Sequence, residues 1–172
     1  MQPNYAPQRA THRRTESAVL SATKELIAER GLSSISMIEI AERSQVSRAT
    51  LYNHYRDKDA VVSALIDSEV DRLVEIASSG TPADCLEKLA IAISTDAALA
   101  AMRTFDPQAL SALLIHGEDP RYLRLAQAVH ALTKRPEATG IAMRWLIAQA
   151  LQPLTVEQAH AQAAALTEAT LF

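Results

Sequence analysis

The chain has 172 residues, 48% of them apolar, a formal net charge of −3 and a single cysteine, Cys85. That length can bury a sizeable core in one unit or two closely packed ones, and one cysteine excludes an intrachain disulfide and a cysteine-based zinc cluster. With no run of about 18 apolar residues and a polar opening, MQPNYAPQRATHRR, in place of a secretion signal, a cytoplasmic location with no membrane partner is expected.

Helix punctuation is legible from the start. A first helix is expected over residues 11–30, with Val19, Ala22, Leu26 and Ile27 at helical spacing and Gly31 placed to stop it. The preceding tail, residues 4–9, is expected to be disordered without a nucleic-acid partner. Ser36 is placed to cap a second helix bearing Ile40 and Ala41, and Ser44-Gln45-Val46 is a tight connection. Ser47 can then cap a third helix in which Leu51 faces inward while Arg48, Thr50, Tyr52, Asn53 and His54 stay on the surface. Two short helices joined this way form a helix-turn-helix, whose second helix reads the major groove. Asp57 caps a long fourth helix, in which Val61, Leu65, Val70 and Leu73 repeat at helical spacing as far as Ser78-Ser79-Gly80.

Three later starts share one device, an N-capping residue followed by proline: Thr81-Pro82, Asp106-Pro107 and Asp119-Pro120. Gly117 is placed to end the segment begun at Pro107, Pro136 opens another helix, and Thr155 with Gln158 forms a capping box for the last. The expected fold is all-α, with about nine helices and no strand: an N-terminal arm and three-helix helix-turn-helix unit over residues 1–57, and a helical body over residues 58–172.

Charge is unevenly spread. Residues 1–60 carry 9 Lys and Arg against 7 Asp and Glu, whereas the remainder carries 8 against 13. Arg9, Arg13, Arg14, Arg48, Arg56 and Lys58 concentrate positive potential at one end, and the acidic body limits non-specific affinity for nucleic acid.

The stretch GLSSISMIEIAERSQVSRATLYNHYRDKDAVVSAL resembles the N-terminal domain of the TetR-type transcriptional repressor family over roughly residues 13–66. Gly31, Ile40-Ala41, Val46-Ser47, Leu51-Tyr52, Tyr55 and Lys58 all fall at the family's spacing. The resemblance implies double-stranded DNA as partner. Arg48, Ala49, Thr50, Tyr52 and Asn53 then sit at positions that commonly meet bases or flanking phosphates; Arg48 could take guanine and Ala49 a thymine methyl. Tyr52, His54 and Lys58 match backbone-holding positions, and Ser47 and Ser36 complete the expected surface, Ser36 as cap and phosphate donor. Tyr52 could instead be a half-buried aromatic, and His54 a packing residue. Arg13 and Arg14 are either phosphate contacts or a solvated helix start. Gln45 stands where the family usually has glycine, so mild strain is expected in the inter-helix turn, and Ile38 and Glu39 depart from the family's usual polar or basic start to the second helix.

The family also implies a homodimer through two C-terminal helices, expected over residues 136–152 and 155–170. Ile141, Trp145, Leu146 and Ala148 exceed one buried stripe, and Ala159, Ala163 and Leu166 form a small-residue face; the alternative is that both helices complete the protomer core. Two recognition helices would read a palindromic operator with groove centres about 34–36 Å apart or further. A small-molecule effector is implied too, with Leu99, Met102, Phe105, Leu113, His116, Tyr122, Val129 and Trp145 as candidate lining, although the body is short for the family. No cofactor or metal is expected: no Gly-rich phosphate loop, His-Glu-x-x-His pattern or nucleophile elbow occurs, and His116, His130 and His160 are scattered. The alternative is a helix-turn-helix regulator acting through protein partners without an effector.

Overall fold

A computed structural model describes residues 5–114 and 118–169, with the side chains of 5–11 and 169 left aside. His116 and Gly117 therefore lie outside the described residues. Ten helices are present among them: α1 (Tyr5–Arg30), α2 (Met37–Ser44), α3 (Arg48–His54), α4 (Lys58–Ala77), α5 (Pro82–Ser94), α6 (Ala97–Phe105), α7 (Pro107–Leu114), α8 (Pro120–Thr133), α9 (Pro136–Leu151) and α10 (Val156–Ala169). None is long and apolar enough to cross a membrane.

The punctuation acts as the sequence implies. Gly31 ends α1 with φ +81°, its amide bonded to the Ile27 carbonyl at 2.8 Å. Side chains of Ser36, Ser47, Asp57, Thr81 and Asp119 accept hydrogen bonds from first-turn amides, and Thr155 and Gln158 make their reciprocal pair at 3.0 and 3.3 Å. Gln45 takes the left-handed conformation, φ 56° and ψ 29°, as expected of the inter-helix turn.

Two boundaries differ. Helix α1 begins at Tyr5, six residues before the expected start, so residues 5–9 of the expected disordered tail are helical. The tenth helix is α6, hidden in an alanine-rich run that reads as continuous with α5. Thr95 breaks that run, and the Asp96 carboxylate, accepting the Leu99 amide at 3.0 Å, restarts it.

The helices pack around two hydrophobic clusters. One unites Val19, Leu26 and Ile27 of α1, Ile40 and Ala41 of α2, Leu51 of α3, and Val61 and Leu65 of α4 with Ala98 and Met102 of α6 and Leu110 of α7. The other joins α5, α8, α9 and α10 through Leu86, Leu89, Val129, Met143, Leu146, Ala159 and Ala163. Leu99 and Leu114 touch both. The helix-turn-helix is thus fused to α6 and α7 through a shared interior, each fully buried aliphatic side chain contributing about 1.5–3 kcal/mol.

Asp106 completes the fusion. Expected to cap α7, it instead turns its carboxylate to the α1–α2 turn, where Oδ2 accepts the Ser33 amide at 3.2 Å. A Cβ on Gly31 would lie 2.3 Å from that oxygen, so the approach requires glycine. Hydrogen bonds from Ser33, then the Leu32 amide and the charge of Lys58, hold the Asp106 carboxyl below its ordinary range. The Lys58 ammonium donates to the carbonyls of Leu32 and Ile35 at 3.2 Å each, gripping the same turn from the opposite chain segment.

Two outcomes follow for stability. Gln45→Gly is expected to stabilise the fold by about 1 kcal/mol, read as a higher urea midpoint at unchanged denaturant slope, because a left-handed non-glycine residue costs about 1–2 kcal/mol and glycine's entropy takes back part of the gain. The stability advantage of the wild type over Asp106→Asn should be complete above about pH 4, near the unfolded carboxyl's value, and shrink as pH falls through the depressed folded value. Urea unfolding of both chains between pH 6 and 3 measures it; an advantage that grows on acidification contradicts the assignment.

Candidate nucleic-acid interface and an internal cavity

The helix-turn-helix is built by local chemistry. Ser36 and Glu39 form a reciprocal capping box at the start of α2, in which the Ser36 amide and hydroxyl donate to Glu39 Oε2 at 2.9 and 2.8 Å. The Ser-x-x-Glu signature was readable in the sequence. It commits the Ser36 proton to Glu39, leaving the hydroxyl oxygen's acceptor side more available than its donor. Glu39 also accepts from Arg30 at 2.8 Å, and Arg43 grips Glu29 with both terminal nitrogens at 2.7 and 2.9 Å, pinning α2 to α1. The bonds from Ser36 and Arg30 to Glu39, and from Arg43 to Glu29, hold both carboxyls below their ordinary pKa.

Ser47 Oγ accepts the Thr50 amide at 3.1 Å and lies 2.8 Å from the Thr50 hydroxyl, setting the first turn of α3. Fully buried Leu51 anchors the inner side. Opposite it, Arg48, Ala49, Tyr52 and Asn53 are exposed, Tyr52 by 52%; Thr50 and His54 are half-buried. A short helix with four exposed side chains able to donate, accept or make apolar contact fits base edges and phosphates. Arg48 is 3.4 Å from Glu42, an exposed pair that DNA can displace at little cost.

Contacts draw the remaining candidates toward α3. Lys58 is bonded to the carbonyl just before Ser36, placing the N-terminus of α4 beside that of α2. His54 Nε2 lies 3.4 Å from His12 Nδ1, with ring centroids 4.2 Å apart, which sets exposed Arg13 and Arg14 of α1 near the end of α3. His12 and Glu42 were missed in the sequence; neither has a local signal, since each acts across a tertiary contact.

Beneath this unit lies a cavity of about 250 Å³ walled by α1, α4, α5, α6, α8 and α9 with residues of α7 and the α7–α8 turn. Of the lining expected from sequence, Leu99, Met102, Leu113 and Tyr122 border it. Phe105 is instead 58% exposed, Val129 is fully buried in the second cluster, and Trp145 sits on α9 with its indole N–H donating to Gln162 at 2.6 Å. Lys24 and Ile27 bring α1 itself into the wall. Lys24 bridges Glu69 of α4 and Asp96 at 2.7 and 2.8 Å, while Arg121 of α8 holds Asp67 of α4 at 2.9 Å. Two ion networks thus clasp α4 beside the cavity.

The expected small-residue face of α10 is not a surface. Ala159 and Ala163 are fully buried, packed with the α5 residues of the second cluster, because alanine permits close helix approach within the protomer. Outward-facing apolar residues occur instead on α9, where Ile141 is 57% exposed and Trp145 and Ala148 follow at i+4 and i+7.

Residues 19–65 match the family model of the bacterial regulatory proteins, tetR family. The HTH-type transcriptional repressor Rv3405c of Mycobacterium tuberculosis H37Rv is 37% identical over 71 residues, 41% of this chain and 38% of that protein. The uncharacterized HTH-type regulator Rv1255c of the same organism is 38% identical over 91 residues, 48% of this chain and 44% of its own length. The chain thus spans less than half the length of these relatives. Among solved structures, the TetR family repressor AlkX of Dietzia sp. superposes with a TM-score of 0.67 at 18% identity, covering 90% of this chain and 96% of AlkX. The dihydroxyacetone kinase operon activator DhaS gives 0.64 at 14% identity, covering 90% and 94%. Residues 19–65 are therefore a TetR-type helix-turn-helix domain of the bacterial regulatory proteins, carried on a helical body that shares the fold of TetR-family regulators.

Proposed function

We propose that the chain is a sequence-specific DNA-binding transcriptional regulator that occupies a palindromic operator as a homodimer and is released by a small-molecule effector. The observation that carries the DNA-binding reading is α3, capped by Ser47, anchored by Leu51, and presenting Arg48, Ala49, Tyr52 and Asn53 outward. Arg48 and Ala49 read bases; Tyr52, His54 and Lys58 hold phosphates with help from Arg13, Arg14 and, once its hydroxyl turns from Glu39 to the phosphate, Ser36. Lys58 still has one ammonium proton beyond the two given to carbonyls, and the N-terminus of α4 adds its dipole at the same place. Repression is favoured over activation by the sequence relative named a repressor.

The cavity favours the effector-responsive reading over one acting through protein partners alone. Its wall includes α1 and α6, which also share the helix-turn-helix core, so a ligand pressing on this wall acts on the DNA-binding unit directly as well as through α4. Release requires that the ligand favour the DNA-incompetent arrangement, and a hundredfold loss of operator affinity corresponds to about 2.7 kcal/mol of coupling. The outward stripe on α9, with Ile141 and Ala148 exposed and Trp145 half-buried between them, supports dimerisation through the last two helices.

Selection of bound fragments from random duplexes should return a palindrome; no preference over scrambled competitor would overturn the reading. With the selected site, Lys58→Ala should weaken binding to all operator variants and reduce the magnitude of the salt slope by about 1, whereas Arg48→Ala should cost about 1–3 kcal/mol and relax preference at one base pair. Sedimentation should find Ile141→Glu monomeric and folded. Ala163→Glu, by contrast, should lose helical signal, because that site is interior.

A further inference from the structure

The cavity's charged wall is closed on itself. Six charged side chains border it, and each already has an opposite partner: Lys24 with Glu69 and Asp96, Arg72 with Glu69, and Arg121 with Asp67 and Asp119. Arg121 further donates to the Ser63 carbonyl and hydroxyl, and Asp96 also accepts the Leu99 amide. A charged ligand group would have to take one member of a pair and strand the other in a partly dehydrated place, at a cost its own bond does not recover. The rest of the lining is aliphatic or thioether, save one neutral polar side chain, Tyr122, whose hydroxyl has no hydrogen-bond partner among the described residues.

From this wall we infer that the ligand is uncharged and predominantly apolar, of about bicyclic aromatic size, with at most one hydrogen-bonding group, which meets Tyr122. This rests on the reading of the body as an effector-binding unit. A volume of about 250 Å³ falls just below the roughly 300–1,000 Å³ of drug-sized ligand pockets, so long acyl chains and nucleotides are too large. Apolar burial supplies the affinity, and the single hydroxyl supplies orientation.

The test compares three probes of one shape, 2-naphthol, 2-naphthoate and 2-naphthylmethylammonium, titrated calorimetrically into the full chain at pH 7 without DNA. The neutral probe is expected to bind about tenfold or more tightly than either ion. Tyr122→Phe should weaken 2-naphthol severalfold yet leave naphthalene unchanged, a difference that general loosening of the body would not produce. Leu113→Trp, at the partly exposed mouth, and Leu99→Trp, inside, should each abolish binding, and the mouth variant guards against misfolding of the interior one. Equal or tighter binding of either ion, binding that survives both tryptophan variants, or no binding of any probe at millimolar concentration overturns the inference. Because binding is read without DNA, the effector reading fails separately: 2-naphthol would bind as expected while a selected operator is held equally well with and without it.

Discussion

The packing of α6 against α1 is the contact on which the remaining arrangement depends. It places Ala98 and Met102 in one interior with Val19, Leu26 and Leu51, so the reading helix rests on the same core as the body. Interiors packed to crystal-like density shift between discrete arrangements and do not deform smoothly. A displacement of α6 therefore has to be met by α1, and through Ile40, Ala41 and Leu51 by the helix-turn-helix.

Polar contacts give that junction its direction. Asp106 fastens the end of α6 to the Ser33 amide, and Lys58 fastens the start of α4 to the carbonyls of Leu32 and Ile35, so one six-residue turn is held from two sides. Further along α4, Asp67 is bonded to Arg121 and Arg124 of α8, and Glu69 to Lys24 of α1. Pairs of this partly exposed kind add little to global stability, yet they fix register and oppose sliding. The helix that leaves the DNA-binding unit is thus gripped at its start and middle, with the cavity alongside.

The two ends of the molecule use charge in opposite ways. Around α3, Arg13, Arg14, Arg48 and Arg56 are exposed, held at most by surface partners such as Glu42 and Asp57, and free to exchange them for phosphate. Around the cavity, every charge is satisfied from within the wall. A surface made to meet a polyanion keeps its cations exchangeable; a largely apolar pocket whose wall charges are paired with one another leaves none to spare.

Much of this was written locally in the chain. Ser47, Asp57, Thr81, Asp119, Thr155 and Gly31 each act within one helical turn, so their effect could be read from spacing alone, as could the exposure of Arg48, Tyr52 and Asn53 opposite Leu51, whereas Thr50 and His54, expected on the same surface, are half-buried. What only the tertiary structure decided involves partners far apart in sequence. Asp106 looked like a cap for α7, but its carboxylate found Ser33 across 73 positions. Ala159 and Ala163 looked like a dimer face, but α5 covers them within the protomer. Leu99 and Tyr122 border a cavity while Val129, equally apolar, fills a core, since periodicity records which side of a helix is buried and not what lies opposite. Local hydrogen bonding set the helices; side-chain volume and long-range pairing set where they meet.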